Sequence, residues 1–153
     1  MPFLSIITSL AIAALSLFTL QNATRSVPKL QKYESKAEKA AKWSSAADKR
    51  LKDTRRTVTA GIVMTSLSLL SSLYLLVYGS GKILSVQFVW ALAMAVCELR
   101  TAEYIRSFWD GERKVPLLED YNAAIGDMAV VKDMSVALGS CWGVMVLLRV
   151  FGY

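Results

Sequence analysis

The sequence predicts an all-α integral membrane protein, a bundle of four transmembrane helices with a cytoplasmic amphipathic helix in its first loop. Of its 153 residues, 54% are hydrophobic and 20% are charged, whereas soluble domains average about 45–50% and about 25%. The apolar residues are also pooled in four runs. We therefore expect the chain to lie within a lipid bilayer. Its length predicts a single domain covering residues 1–153.

The four predicted spans are residues 3–20, 58–78, 83–103 and 130–149. The first has eighteen consecutive uncharged positions, close to what a helix rising about 1.5 Å per residue needs to cross a core of about 30 Å. No Lys or Arg precedes it, so we interpret it as a spanning helix and not as a cleavable signal. The third span is the weakest, because it is uncharged only from Ile83 to Cys97. As a bilayer helix it must either carry Glu98 inward or bring Gly81 and Lys82 to the interface by snorkelling.

The basic residues predict the orientation. Residues 22–57 hold eleven of the eighteen Lys and Arg side chains, and residues 98–133 hold five more. Because Lys and Arg in short loops favour the cytoplasm, loops 22–57 and 104–129 are predicted to be cytoplasmic and both termini lumenal. The short spans favour the endoplasmic reticulum membrane.

The first loop is rich in helix-forming Lys, Glu and Ala, and predicts an amphipathic helix that begins near Pro28. Its net charge is +7, from eleven basic and four acidic residues, which predicts attraction to anionic lipid headgroups. Nucleic acid is not an expected partner, because Tyr33 and Trp43 are the loop's only aromatic residues.

The fourth span carries small residues at steps of four, Ser135, Gly139 and Gly143. This spacing lets helix backbones approach closely in lipid. We interpret it as a packing face for helices of this chain or of other membrane proteins, a second copy of the chain included.

Glu98 is the single acidic residue near hydrocarbon depth, and Arg100, Arg55 and Arg56 are the basic residues closest to it in the predicted topology. An ionisable residue there suggests a functional site. The alternative is a structural carboxylate in the headgroup layer, paired with one of these arginines. Both interpretations remain open at this point.

Several membrane-enzyme chemistries lack their required residues. The chain has no His, which di-iron desaturases need. Cys97 and Cys141 do not form a Cys-x-x-Cys pair, and neither a P-loop nor a Gly-x-Gly-x-x-Gly motif occurs. We therefore assign no catalytic, cofactor or metal residue and expect no cofactor.

The chain resembles the small four-helix endoplasmic-reticulum scaffold proteins of ergosterol biosynthesis. The resemblance covers the span order, the long basic first loop and a few positions: Gln21, Arg56-Thr57, Tyr74, Cys97-Glu98 and Leu148-Arg149. The chain departs from the family where Val58 and Thr59 replace its Phe and Gly. The resemblance implies a non-catalytic scaffold that binds sterol C-4 demethylation enzymes.

Two functions are consistent with these features. The first is a non-enzymatic membrane adaptor that holds lipid or sterol biosynthesis enzymes together. The second is a small helical-bundle membrane enzyme acting on a lipophilic substrate, either an isomerase or a glutathione-transferase-like protein. Missing catalytic motifs favour the adaptor, and Glu98 would be central to the enzyme.

Overall fold

The protein is a bundle of four long helices, which a computed structural model describes over residues 2–41, 45–78, 84–110 and 119–151. The helices are α1 (Pro2–Ala41), α2 (Ser45–Tyr78), α3 (Leu84–Trp109) and α4 (Glu119–Val150). Each packs against the next, and α4 closes the ring on α1, so that α2 and α4 meet only weakly across the centre. The all-α prediction is confirmed.

Three of the helices, α1, α2 and α4, are long and apolar enough to cross a membrane. They contain the predicted spans 3–20, 58–78 and 130–149. Helix α3, which holds most of the predicted span 83–103, is not among the three, and Ile83 lies outside the described residues.

The two predicted loops are mostly helical. Residues 22–41 continue α1 and residues 45–57 begin α2, so the described part of the first loop forms no separate amphipathic helix. Pro28 lies inside α1 at an exposed position. A proline there removes one backbone hydrogen bond, and burial of Ser26 and Leu30 on either side explains why the helix continues. In the second loop, α3 reaches Trp109 and α4 begins at Glu119.

The inward positions of each helix recur at alternating steps of three and four. This is the spacing of helices that pack with knobs into holes. On α4 the buried residues include Tyr121, Ala124, Met128, Val131, Ser135, Leu138, Trp142, Met145 and Arg149. On α1 they include Ser5, Ser9, Ile12, Ser16, Thr19, Ala23, Ser26 and Leu30. Much of the interior is thus small or hydroxyl-bearing.

Large apolar side chains instead cover the outside of one end of the bundle. We call this surface the apolar belt; on α1 to α4 it runs over residues 3–18, 63–78, 86–99 and 136–151. These ranges span 13 to 15 residue steps, or about 20–22 Å along a helix. The nearest exposed charges beyond these ranges are Arg25 and Arg56, each seven residues away, and Arg100 and Asp133, one and three residues away.

The rest of the bundle, which we call the polar end, has its own packed interior. Tyr33 on α1 stacks on Tyr121 on α4 with ring centroids 4.5 Å apart, and Lys29 forms a salt bridge with Asp127. These contacts tie α1 to α4 beyond the apolar belt. The polar end is therefore a folded continuation of the same four helices.

Candidate functional site

Glu98 lies in the interior of the bundle. It occupies the inward face of α3 together with Met94 and Ile105, and no part of it is accessible to solvent. Among the described residues, neither Oε1 nor Oε2 has a regular hydrogen-bond partner. A buried carboxylate without partners is costly, so this residue is the strongest candidate for a functional group.

Three hydroxyl groups lie at the same level as Glu98, and with it they form what we call the polar layer: Ser16 on α1, Ser68 on α2 and Ser135 on α4. All three serines are fully buried. The hydroxyls of Ser68 and Ser135 lie beside the carboxylate, and neither makes a regular hydrogen bond with it. In the described part of the chain, Ser16 Oγ and Ser135 Oγ also lack a regular partner.

The polar layer separates two apolar clusters. One surrounds Ile12, Met94 and Trp142 inside the apolar belt, and the other surrounds Val58, Ile105 and Met128 toward the polar end. Apolar side chains therefore close the layer above and below, so the unpartnered oxygens lie in a medium of low polarity.

Trp142 connects this layer to the cluster inside the apolar belt. Its indole Nε1 donates a hydrogen bond of 2.8 Å to Ser68 Oγ, and both residues are fully buried. The bond crosses the centre of the bundle from α4 to α2 and fixes the Ser68 hydroxyl beside Glu98.

The other members of the predicted polar site lie apart from Glu98. Arg100 is exposed on the outer side of α3. The Nε and Nη2 atoms of Arg55 bind the two carboxylate oxygens of Glu34 at 2.8 and 2.9 Å, and the Nη1 atom of Arg56 is 3.9 Å from Asp53. Within the described residues no salt bridge joins Glu98 to a basic side chain.

The three small residues of α4 have different surroundings. Ser135 belongs to the polar layer, and a Cβ at Gly139 would lie 2.8 Å from Leu99 Cγ on α3. Both are therefore used in packing within this chain. At Gly143 a Cβ would meet no atom within 4 Å among the described residues, so this part of the face is open.

A charged cleft lies between α3 and α4 at the edge of the apolar belt. It has a volume of about 410 Å³, and its apolar lining residues are Leu99, Ala102 and Val136. Its charged lining residues are Glu103, Arg106, Asp110, Lys132 and Asp133, with Lys132 Nζ 3.0 Å from Asp110 Oδ1. Leu99 and Val136 are exposed and directly follow the buried Glu98 and Ser135 in the sequence, so the cleft lies on the outer surface at the level of the polar layer.

The described residues contain no group of three or more His, Cys, Asp or Glu side chains that could hold a metal ion. Cys97 and Cys141 are both free thiols, and Cys97 is exposed in the apolar belt. The chemistry that the layer offers is that of one carboxylate with neutral hydroxyls: it accepts a proton or binds a hard cation.

Sequence reasoning identified Glu98 and Ser135 but missed Ser16 and the bond from Trp142 to Ser68. The signal was present in the first span, where Ser5, Ser9 and Ser16 recur at helical spacing within an apolar run. In lipid this pattern marks the inward face, because the outward positions are the apolar ones.

No family model, curated protein or solved structure matches this chain.

Proposed function

We propose that this protein is a non-enzymatic membrane adaptor that holds lipid-biosynthesis enzymes together at the endoplasmic reticulum. The main support for this proposal is the polar end, in which the four helices continue beyond the apolar belt as a packed, charged surface. A receptor for other proteins must present a stable surface close to the membrane, and the polar end has both properties.

The charge of the polar end is divided between its two sides. On α1 and α2, residues 25–41 and 45–57 carry ten basic and four acidic side chains. On α4, residues 119–133 carry four acidic side chains and one basic. The side formed by α1 and α2 is therefore basic and the adjacent α4 acidic, which supports docking of partners with complementary charge.

The salt bridges within the polar end support its rigidity. Arg55 holds Glu34 with two hydrogen bonds, a geometry stronger than a single contact. Together with the pair of Lys29 and Asp127, this joins α1 to both of its neighbours. A surface held in this way does not need to become ordered when a partner binds.

The apolar belt supports a membrane position in which all four helices cross the bilayer, α3 included. The exposed apolar residues of α3 span nearly the same length as those of the neighbouring helices. Arg25, Arg56 and Arg100 then lie at the headgroup level, suited to anionic lipids. By the positive-inside tendency the polar end is cytoplasmic and both termini are lumenal.

The class of partner follows from the resemblance to the ergosterol scaffold family, which suggests sterol enzymes first. The open surface at Gly143 offers a place for a partner helix, from a sterol enzyme or from a second copy of this chain.

The test is co-purification of a C-terminally tagged chain from native membranes in mild detergent, with mass spectrometry of the bound proteins. We expect stoichiometric recovery of sterol or other lipid enzymes. The double variant Lys49→Glu and Lys52→Glu reverses two exposed charges on α2 and should reduce recovery severalfold, while the matched control Lys49→Arg and Lys52→Arg should not. Recovery of the chain alone, at normal abundance, would contradict the adaptor.

Burial of Glu98 supports a second function, a small membrane enzyme acting on a lipophilic substrate. An isomerase or a glutathione-transferase-like reaction would use the carboxylate to move a proton. In that case Glu98→Gln should abolish turnover and leave membrane abundance unchanged. If Glu98→Gln lowers only the abundance, the residue is structural and the enzyme proposal fails.

A further inference from the structure

The polar layer has the properties of a small cation site. Four oxygen atoms in it lack a regular hydrogen-bond partner: Ser16 Oγ, Glu98 Oε1 and Oε2, and Ser135 Oγ. They come from three helices, each from a residue with no solvent exposure. Buried polar atoms in native proteins are nearly always paired, so this group of unpaired oxygens at one level is available to coordinate a ligand.

We propose that the polar layer binds one small monovalent metal cation, such as Na⁺, between the Glu98 carboxylate and the hydroxyls of Ser68 and Ser135. Ser16 lies at the same level on α1, the remaining helix of the bundle, and its hydroxyl oxygen is a further possible ligand. This proposal is independent of the adaptor function.

The donor set selects the type of ion. All of its groups are oxygens, which bind hard cations and not the softer transition metals. The layer contains one formal negative charge, so a monovalent ion makes it neutral. A divalent ion would leave a net positive charge enclosed by the two apolar clusters, and that is unfavourable in a medium of low polarity.

Ser68 is already oriented for this role. Its Oγ accepts a hydrogen bond from Trp142 Nε1 at 2.8 Å, which leaves its remaining lone pair for an ion. The indole is buried and has no freedom to turn away. Trp142 therefore acts as a positioning residue for one ligand of the site.

The charged cleft between α3 and α4 provides an approach for the ion. It carries three acidic residues, Glu103, Asp110 and Asp133, against two basic ones, Arg106 and Lys132, so its net charge attracts cations. Leu99 lines the cleft and packs against Gly139. The cleft would therefore raise the local concentration of cations on the outer surface at the level of the layer.

The test measures the thermal unfolding midpoint of the purified full chain in nanodiscs, in NaCl, LiCl, KCl or N-methyl-D-glucamine chloride of equal ionic strength. We expect Na⁺ to raise the midpoint by roughly 5–10 °C at saturation relative to N-methyl-D-glucamine. Glu98→Gln should remove the Na⁺ effect. Ser135→Ala, which keeps the carboxylate, should raise the Na⁺ concentration for half of the effect about tenfold.

The matched control is Ser140→Ala on the same helix, where the exposed hydroxyl bonds to Val136 O and the Na⁺ response should stay unchanged. Equal midpoints in all four salts would overturn the proposal, as would a Na⁺ effect that persists in Glu98→Gln. Stabilisation by low pH without any cation dependence would also overturn it, since a proton would then fill the layer. Should Glu98→Gln fail to fold, the shift measured in Ser135→Ala decides.

Discussion

Trp109 on α3 donates a hydrogen bond of 3.0 Å from its indole Nε1 to Thr57 Oγ1 on α2. Both residues are buried, Thr57 completely. The Thr57 hydroxyl in turn lies 3.0 Å from the carbonyl oxygen of Thr54 on its own helix. The bond joins two helices in the interior of the polar end, where the apolar surroundings make an unpaired indole N–H unfavourable.

Thr57→Val keeps the shape of the side chain and removes the acceptor. The indole N–H of Trp109 is then buried without a partner, which should destabilise the protein by about 1–3 kcal/mol. The measurement is the thermal unfolding midpoint in detergent, which should fall by several degrees. Thr59→Val, at an exposed position of the same helix, is the control and should change the midpoint little. Equal effects of the two variants would show that the bond contributes nothing.

Gly139 and Gly143 should respond oppositely to alanine. At position 139 the new Cβ meets Leu99 Cγ at 2.8 Å, so Gly139→Ala forces α3 and α4 apart and should cost about 1–3 kcal/mol. At position 143 the space is open, so Gly143→Ala should leave stability unchanged or raise it through helix propensity by up to about 1 kcal/mol.

The unfolding midpoints of the two glycine variants provide the measurement, with a rescue as control. Leu99→Ala removes the side chain that the new methyl group meets, and it should restore part of the stability lost in Gly139→Ala. If Gly143→Ala is the more destabilising variant, the assigned packing of α3 on α4 is wrong.

The all-α fold and the three helices long enough to cross a membrane could be predicted from the long apolar runs in the sequence. The thickness of the hydrocarbon core sets the minimum length of such a run. The continuation of α1 through Pro28 did not follow. Local propensity places a helix start at that proline, whereas packing of Leu30 and Tyr33 against α4 keeps one helix intact. Tertiary contacts of this kind cannot be inferred from a single sequence.

The candidate site was predicted in part. Glu98 was recognisable as an acid within an apolar run, but its partners were expected among the arginines nearest in the topology. The alternating three- and four-residue spacing instead points Glu98 inward, while Arg100, two residues later, faces outward. Knowing which face of α3 is inward requires the positions of α2 and α4, which periodicity alone does not supply.

The proposed orientation predicts which segments receive glycans. A glycosylation acceptor tag added after Tyr153 should be modified in endoplasmic reticulum membranes, because both termini face the lumen. An acceptor site introduced into residues 111–118 should stay unmodified. Removal of the glycan by endoglycosidase and the resulting gel shift provide the readout. Modification of the internal site alone would reverse the orientation and place the polar end in the lumen.

The apolar belt predicts a preference for thin bilayers. Its length of about 20–22 Å along each helix is well below the hydrocarbon thickness of about 30 Å in an average membrane. Mismatch costs a fraction of a kcal/mol per Å, and the deficit is largest on α3, where Arg100 directly follows the last belt residue. In phosphatidylcholine vesicles whose acyl chains lengthen in two-carbon steps, the unfolding midpoint should be highest with the shortest chains and fall at each step.

A variant with a longer belt separates thickness from other properties of the lipids. Arg25→Leu, Arg56→Leu and Arg100→Leu together remove the exposed charges that end the belt on three helices, so the optimum should move to longer acyl chains. The arginines lie outside both apolar clusters and the polar layer, so the interior is unchanged. If the unfolding midpoint of the unaltered protein rises with chain length, the preference for thin bilayers is wrong. The hydrocarbon core would then also cover the uncharged residues between the belt and Arg25 and Arg56.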